Sequence, residues 1–109
     1  MFNNKRQLVL IAPSDSHPDL LATREELLQT RRESTDRDLV VREYVGEEGA
    51  DELPAAYAPD TGRFVMILVG KDGTEKRRDT KAVPIQEIYA LIDTMPMRKR
   101  EMRERGASS

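Results

Sequence analysis

The chain has 109 residues, 38% hydrophobic and 35% charged, with a formal net charge of −2 and neither cysteine nor tryptophan; that supports one modest core and excludes two. Without cysteine there are no disulfides, thiol nucleophiles, thiolate metal sites or thiol redox chemistry, and an aromatic content of 5% leaves few rings on which bases or sugars could stack. Residues 1–62 carry 7 Lys/Arg against 13 Asp/Glu and residues 63–109 carry 11 against 7, a split that hints at a dipolar surface.

The opening "MFNNKRQLVLIAP" places basic residues before an apolar run too short for a signal peptide, ended by Pro13. Residues 1–6 are expected to be a flexible N-terminus. The chain as it stands would be cytoplasmic, or periplasmic or secreted if a signal peptide has been removed, and no stretch reaches membrane-spanning length. "QLVLIA", residues 7–12, is the continuous apolar run of a central strand covered on both faces. In the following "PSDSHPDLL", Ser16 is the expected helix cap, with Asp19 as its returning carboxylate and Pro18 in the first turn. Leu20, Leu21, Leu27 and Leu28 are read as one buried face, and Arg31 to Arg37 as the solvated exit.

"DLVVREYV", residues 38–45, reads as a strand at or near an edge, parallel to the first through a right-handed crossover. The acidic, Gly- and Pro-containing residues 46–62 read as a loop with a helical turn near Asp51 to Tyr57, Leu53 and Tyr57 packing inward. Phe64 to Val69 is a second central strand, and Asp72-Gly73 is the dipeptide of a tight hairpin. The return arm Glu75 to Asp79 contains no apolar residue, as suits a protected sheet edge. Pro84 opens a helix whose Ile85, Ile88, Tyr89 and Ile92 form one stripe, ending near Thr94 because Pro96 restricts Met95. Residues 98–109 read as a charged tail that pairs such as Glu101 with Arg105 would make helical, fraying from Gly106 to Ser109.

These elements predict an α/β domain over residues 7–97. It has a four-stranded mixed sheet of order 2-1-3-4 flanked by two main helices, the thioredoxin-like arrangement. Gly70-Lys71-Asp72-Gly73 in "LVGKDGTEKRR", together with Asp93 and Met95-Pro96-Met97-Arg98 in "IYALIDTMPMRKREM", resembles a domain-of-unknown-function family of bacterial proteins. Related domains occur in the equarin, sushi-repeat and down-regulated-by-oncogenes matrix proteins. The similarity runs from about Gln7 to Met102. It implies a thioredoxin-like fold and, for the matrix relatives, adhesion and binding to sulfated polysaccharide; it implies no catalysis for the bacterial members. In redox-active thioredoxin-like proteins the cysteines occupy the place of "SDSHP" here, and a proline precedes the third strand where "DTGR" stands.

Ser14, Asp15, Ser16 and His17 have the residue types of a hydrolase, the alternative reading, but contiguous residues in one turn rarely form a triad. The bland reading is a cap and an exposed histidine. His17, Asp15 and Asp19 are too few and too clustered for a zinc site, so neither metal nor cofactor is expected. The stronger candidates are Lys76, Arg77, Arg78 and Lys81 on the hairpin and Arg98, Lys99 and Arg100 in the tail, which would bind a protein or acidic polysaccharide. Edge protection and solubility are the bland reading of the same charges. Nucleic acid ranks lower, without interleaved aromatics. Met95 and Met97 are either an adaptable docking surface or the cover of a core end. The expectation is a non-enzymatic binding module, a monomer or weak homodimer.

Overall fold

The computed structural model describes residues 5–60 and 62–108. The expected flexible segment thus falls, for residues 1–4, outside the described residues, as does Ser109 at the expected frayed end. Four strands, β1 (Arg6–Ala12), β2 (Leu39–Val45), β3 (Val65–Val69) and β4 (Glu75–Asp79), form one sheet in the order β2-β1-β3-β4. β1 runs parallel to β2 and antiparallel to β3, and β3 is antiparallel to β4. The apolar runs of β1 and β3 thus occupy the centre, as their lack of polar residues requires.

Alternation along β1 and β3 divides the core in two. Leu8, Leu10, Met66 and Leu68 face Leu20 of α1 (Pro18–Gln29) and Ile85, Ile88, Tyr89 and Ile92 of α4 (Ile85–Asp93). Val9, Ile11, Val65, Ile67 and Val69 face the other way, against Tyr44, Leu53 and Tyr57. Each fully buried aliphatic side chain contributes about 1.5–3 kcal/mol. The two main helices therefore lie on one face of the sheet. The other is closed by the segment containing α3 (Gly46–Glu52) and a 3-10 helix (Ala55–Asp60). Leu53 and Tyr57 pack inward as their spacing suggests, but the helix begins at Gly46, earlier than the turn predicted near Asp51. Gly49 allows α3 to lie directly on β2: a Cβ there would come within 2.5 Å of the Tyr44 carbonyl carbon.

Two local expectations are corrected, and a third in part. His17, not Ser16, caps α1, its Nδ1 accepting the Asp19 N–H at 3.2 Å. Only Leu20 and Leu27 of the four leucines turn toward the core, with Thr23 buried between them. Leu21 and Leu28, one position further round, are 49% and 58% exposed. The exit is solvated as expected but forms a second helix, α2 (Arg31–Asp36), and only Arg37 after it turns inward, over the Tyr89 ring at 4.8 Å and paired with Asp93.

At the termini, β1 begins at Arg6, which is 1% exposed, and α5 (Pro96–Ser108) carries the helix through the charged C-terminal stretch. β2 is a free edge on which Arg42 and Glu43 are exposed, charges that discourage strand pairing between molecules. Among the described residues no helix is long and apolar enough to cross a membrane.

Candidate functional site

The turn after β1 holds the hydrolase residue types without hydrolase geometry. Ser14 and Ser16 share a hydroxyl contact at 3.2 Å. His17 accepts the Asp19 N–H at Nδ1, which in the neutral ring puts the proton on Nε2 and leaves no free basic lone pair for a serine. The imidazole also stacks on Phe64, centroids 5.6 Å apart and planes 18° from parallel. Asp15 pairs with Arg24 rather than with the histidine. The helix start and the residue before β3 do meet in space, but as a stacked, capped pair.

The two sequence segments that carry the family resemblance meet elsewhere. Gly70 opens the β3–β4 turn, accepting the Gly73 N–H and donating its own N–H to Thr74 O. Asp72 Oδ1 accepts from the Thr74 N–H and hydroxyl, and Gly73 has φ +82°, a conformation glycine takes without strain. The Thr74 backbone N–H, then Lys76, hold the Asp72 carboxyl down at about 2. The register shifts between Leu68 and Val69, so that Arg77 pairs with Leu68 and Glu75 with Val69. Lys76 is the extra residue of this bulge, a device that re-aims a side chain. Its Cε lies over Gly70, 2.6 Å from where a Cβ would stand.

Across from this turn, α4 ends at Asp93, capped by Thr94, and α5 starts at Pro96. A cavity of about 440 Å³ lies between, lined by Gly70, Lys71, Asp72 and Lys76 from the hairpin and by Leu91, Met95, Pro96 and Met97 from the helical corner, with Arg6. Six of the nine residues singled out by the resemblance line one space; Gly73 shapes the turn beside it, and Asp93 paired with Arg98 braces the corner.

Ion pairs hold that corner. Arg6 reaches Glu101 through both terminal nitrogens, each at 3.3 Å, and donates to Arg37 O at 2.7 Å. Lys71 Nζ donates to Asp38 at 2.9 Å and to Glu101 at 2.7 Å. Asp38 has φ +52°, tolerated by Asp better than by most residues. Arg98, 3% exposed, donates to Asp36 and Asp93, and Arg37 grips Asp93 with two nitrogens. Hydrogen bonding from Arg98 holds Asp36 below the usual carboxylate range, and from Lys71 holds Asp38 below it. Burial pushes Asp93 and Glu101 up, but their bonds to Arg37 and Arg98, and to Lys71 and Arg6, outweigh it and leave both low. The Glu101–Arg105 pair expected within the helix does not form; both side chains turn to the body, Arg105 to Asp36. No local pattern marks Arg6 or Glu101 as partners, because 95 residues separate them.

The basic candidates separate into three groups. Arg98 is buried and structural. Lys76, Arg77 and Arg78 pair with Asp72, with Asp79 and Glu87, and with Glu75 respectively. Lys81, Lys99 and Arg100 are exposed and make no ion pair among the described residues. The described residues include no group of three or more His, Asp or Glu that could hold a metal ion.

The model of the family described as Domain of unknown function (DUF4174) matches residues 1–101. The chain belongs to this family. This DUF4174 domain is 31% identical over 117 residues to the Sushi repeat-containing protein SRPX of Homo sapiens, a match that spans 93% of the chain and 25% of that relative. Its fold is that of the thioredoxins. A chloroplastic thioredoxin z aligns with TM-score 0.59 and 20% identity over 85% of this chain and 82% of its own. A putative thioredoxin from Neisseria meningitidis aligns with TM-score 0.61 and 16% identity over 85% and 75%. Without cysteine, the DUF4174 domain has no thiol with which to perform thioredoxin redox chemistry.

Proposed function

We propose that this thioredoxin-like domain is a non-enzymatic binding module that recognises an acidic partner through the exposed side of α5 and the neighbouring hairpin. The observation that carries this reading is the division of labour along α5. Arg98, Glu101 and Arg105 engage the body of the domain, while Lys99, Arg100 and Arg103 remain exposed and without ion pairs among the described residues. Lys76 is held by Asp72, and Arg77 in part by Glu87, through pairs at the surface. Such pairs are worth about 0–1 kcal/mol, so an acidic partner competes for them at little cost. The occupied lone pair of His17 supports the same reading by removing the base that a hydrolase would need. The module would comprise all elements from β1 to α5, because the ion pairs of α5 reach back to Arg6.

An amide-shift NMR titration tests this with a sulfated oligosaccharide and a single-stranded oligonucleotide, each at low and near-physiological salt. Saturable shifts on Lys76 to Lys81 and Lys99 to Arg103 that persist at the higher salt for the saccharide are expected. Lys99→Glu with Arg100→Glu should weaken that binding about tenfold or more, since phosphate- or sulfate-type contacts are lost and repulsion is added. Diffuse shifts erased by salt would overturn the proposal.

A further inference from the structure

The cavity between the hairpin turn and the α4–α5 corner has a chemistry of its own. At about 440 Å³ it falls in the size range of small-molecule sites. The helical corner lines it with Leu91, Met95, Pro96 and Met97, and Met97 is 49% exposed although it adjoins an apolar surface. Methionine side chains adapt their shape to flexible aliphatic ligands.

The other lining is basic, and its ion pairs leave donors unused. Arg6 and Lys71 of the lining are held by Glu101 and Asp38, and Lys5 and Arg98, outside the lining, stand 3.5 and 3.9 Å from the same two carboxylates. Asp72, the one acid lining the cavity, is matched by Lys76. Lys71 has three N–H groups and gives two of them to Asp38 and Glu101, and the buried Nε–H of Arg6 has no acceptor.

We propose that this cavity binds an aliphatic monocarboxylate, the carboxylate accepting from Lys71 and Lys76 and the chain lying on Met95, Pro96, Met97 and Leu91. A carboxylate accepts from the unused donors, and an alkyl chain covers the apolar lining. The same group is offered by a free medium-chain fatty acid or by a peptide whose C-terminal residue is aliphatic. The site does not depend on the exposed bases of α5.

The test titrates the full chain by amide-shift NMR with octanoate, with octanol, and with a short peptide ending in leucine as free acid or as amide. Octanoate should give saturable shifts confined to Gly70 to Asp72, Lys76, Leu91 and Met95 to Met97, with octanol at least tenfold weaker. If the free-acid peptide binds more tightly than octanoate, the natural source is a chain terminus; if octanoate does, it is a fatty acid. Met97→Asp, at a half-exposed position that folding tolerates, should weaken octanoate at least tenfold, and Lys76→Gln several-fold. Lys99→Glu with Arg100→Glu should leave octanoate binding unchanged, so that failure of this site and failure of the acidic-partner surface are told apart. Equal binding of octanol, shifts centred on the exposed Leu28 and Val41 instead, or no saturable shift would overturn the proposal.

Discussion

Glu101→Gln isolates the contact that ties α5 to the sheet. The glutamine keeps the shape and one carbonyl acceptor but removes the charge that Arg6 and Lys71 share. Arg6 is 1% exposed, so its guanidinium cannot turn to water, and removing one partner from a buried pair costs about 3–5 kcal/mol. The Glu101 side chain is 16% exposed and Lys71 keeps Asp38, which places the expected loss at the lower end, about 3 kcal/mol. That is a large share of a total stability of about 5–15 kcal/mol. At roughly 4 °C per kcal/mol for a domain of this size, Tm should fall by about 12 °C. Urea denaturation followed by circular dichroism measures it, with Glu104→Gln as an exposed control expected to stay within about 0.5 kcal/mol. Adding Arg6→Met to Glu101→Gln should restore part of the loss, because the buried charge is then gone from both sides. If Glu101→Gln alone stays within about 0.5 kcal/mol of the wild type, the docked helix contributes nothing and the reasoning fails.

The same contacts set an acid response. Asp36, Asp38, Asp93 and Glu101 all titrate below their ordinary values, so the stability they contribute is complete above the ordinary carboxylate range and is lost as pH falls through their lowered values. Hydrogen exchange should therefore show α5 amides losing protection before those of β1 as pH drops below about 4, and simultaneous loss would contradict the assignment. Gly73→Ala should cost about 1–2 kcal/mol with no steric contribution, since no atom lies within 4 Å of the new Cβ while φ is +82°; a urea midpoint unchanged from wild type would show that the turn relaxes freely.

Signals carried by neighbouring residues were legible in the sequence. Two short uninterrupted apolar runs bounded by turn residues read as central strands, Asp72-Gly73 as a tight turn, and the stripe Ile85, Ile88, Tyr89, Ile92 as a face toward a core. From these followed the sheet order and the thioredoxin-like fold, and the lack of cysteine excluded thiol chemistry whatever the fold. The position of the α1 face was less legible: four leucines within nine residues satisfy two adjacent stripes, and only the sheet selects Leu20 and Leu27.

What the charges do was decided by tertiary structure alone. Arg98 and Lys99 are neighbours of the same type in one charged run, yet one is buried against Asp36 and Asp93 and the other lies in solvent. Periodicity records apolar faces, whereas an ion pair has no sequence period, and Arg6 with Glu101 or Lys71 with Asp38 are matched only after the sheet and α5 have come together. The candidate cavity arises the same way. Sequence supplied Gly70 to Asp72 and Met95 to Met97 as two separate segments, and the antiparallel return of β3 beside β1, with α5 pinned over Arg6, made them the walls of one site.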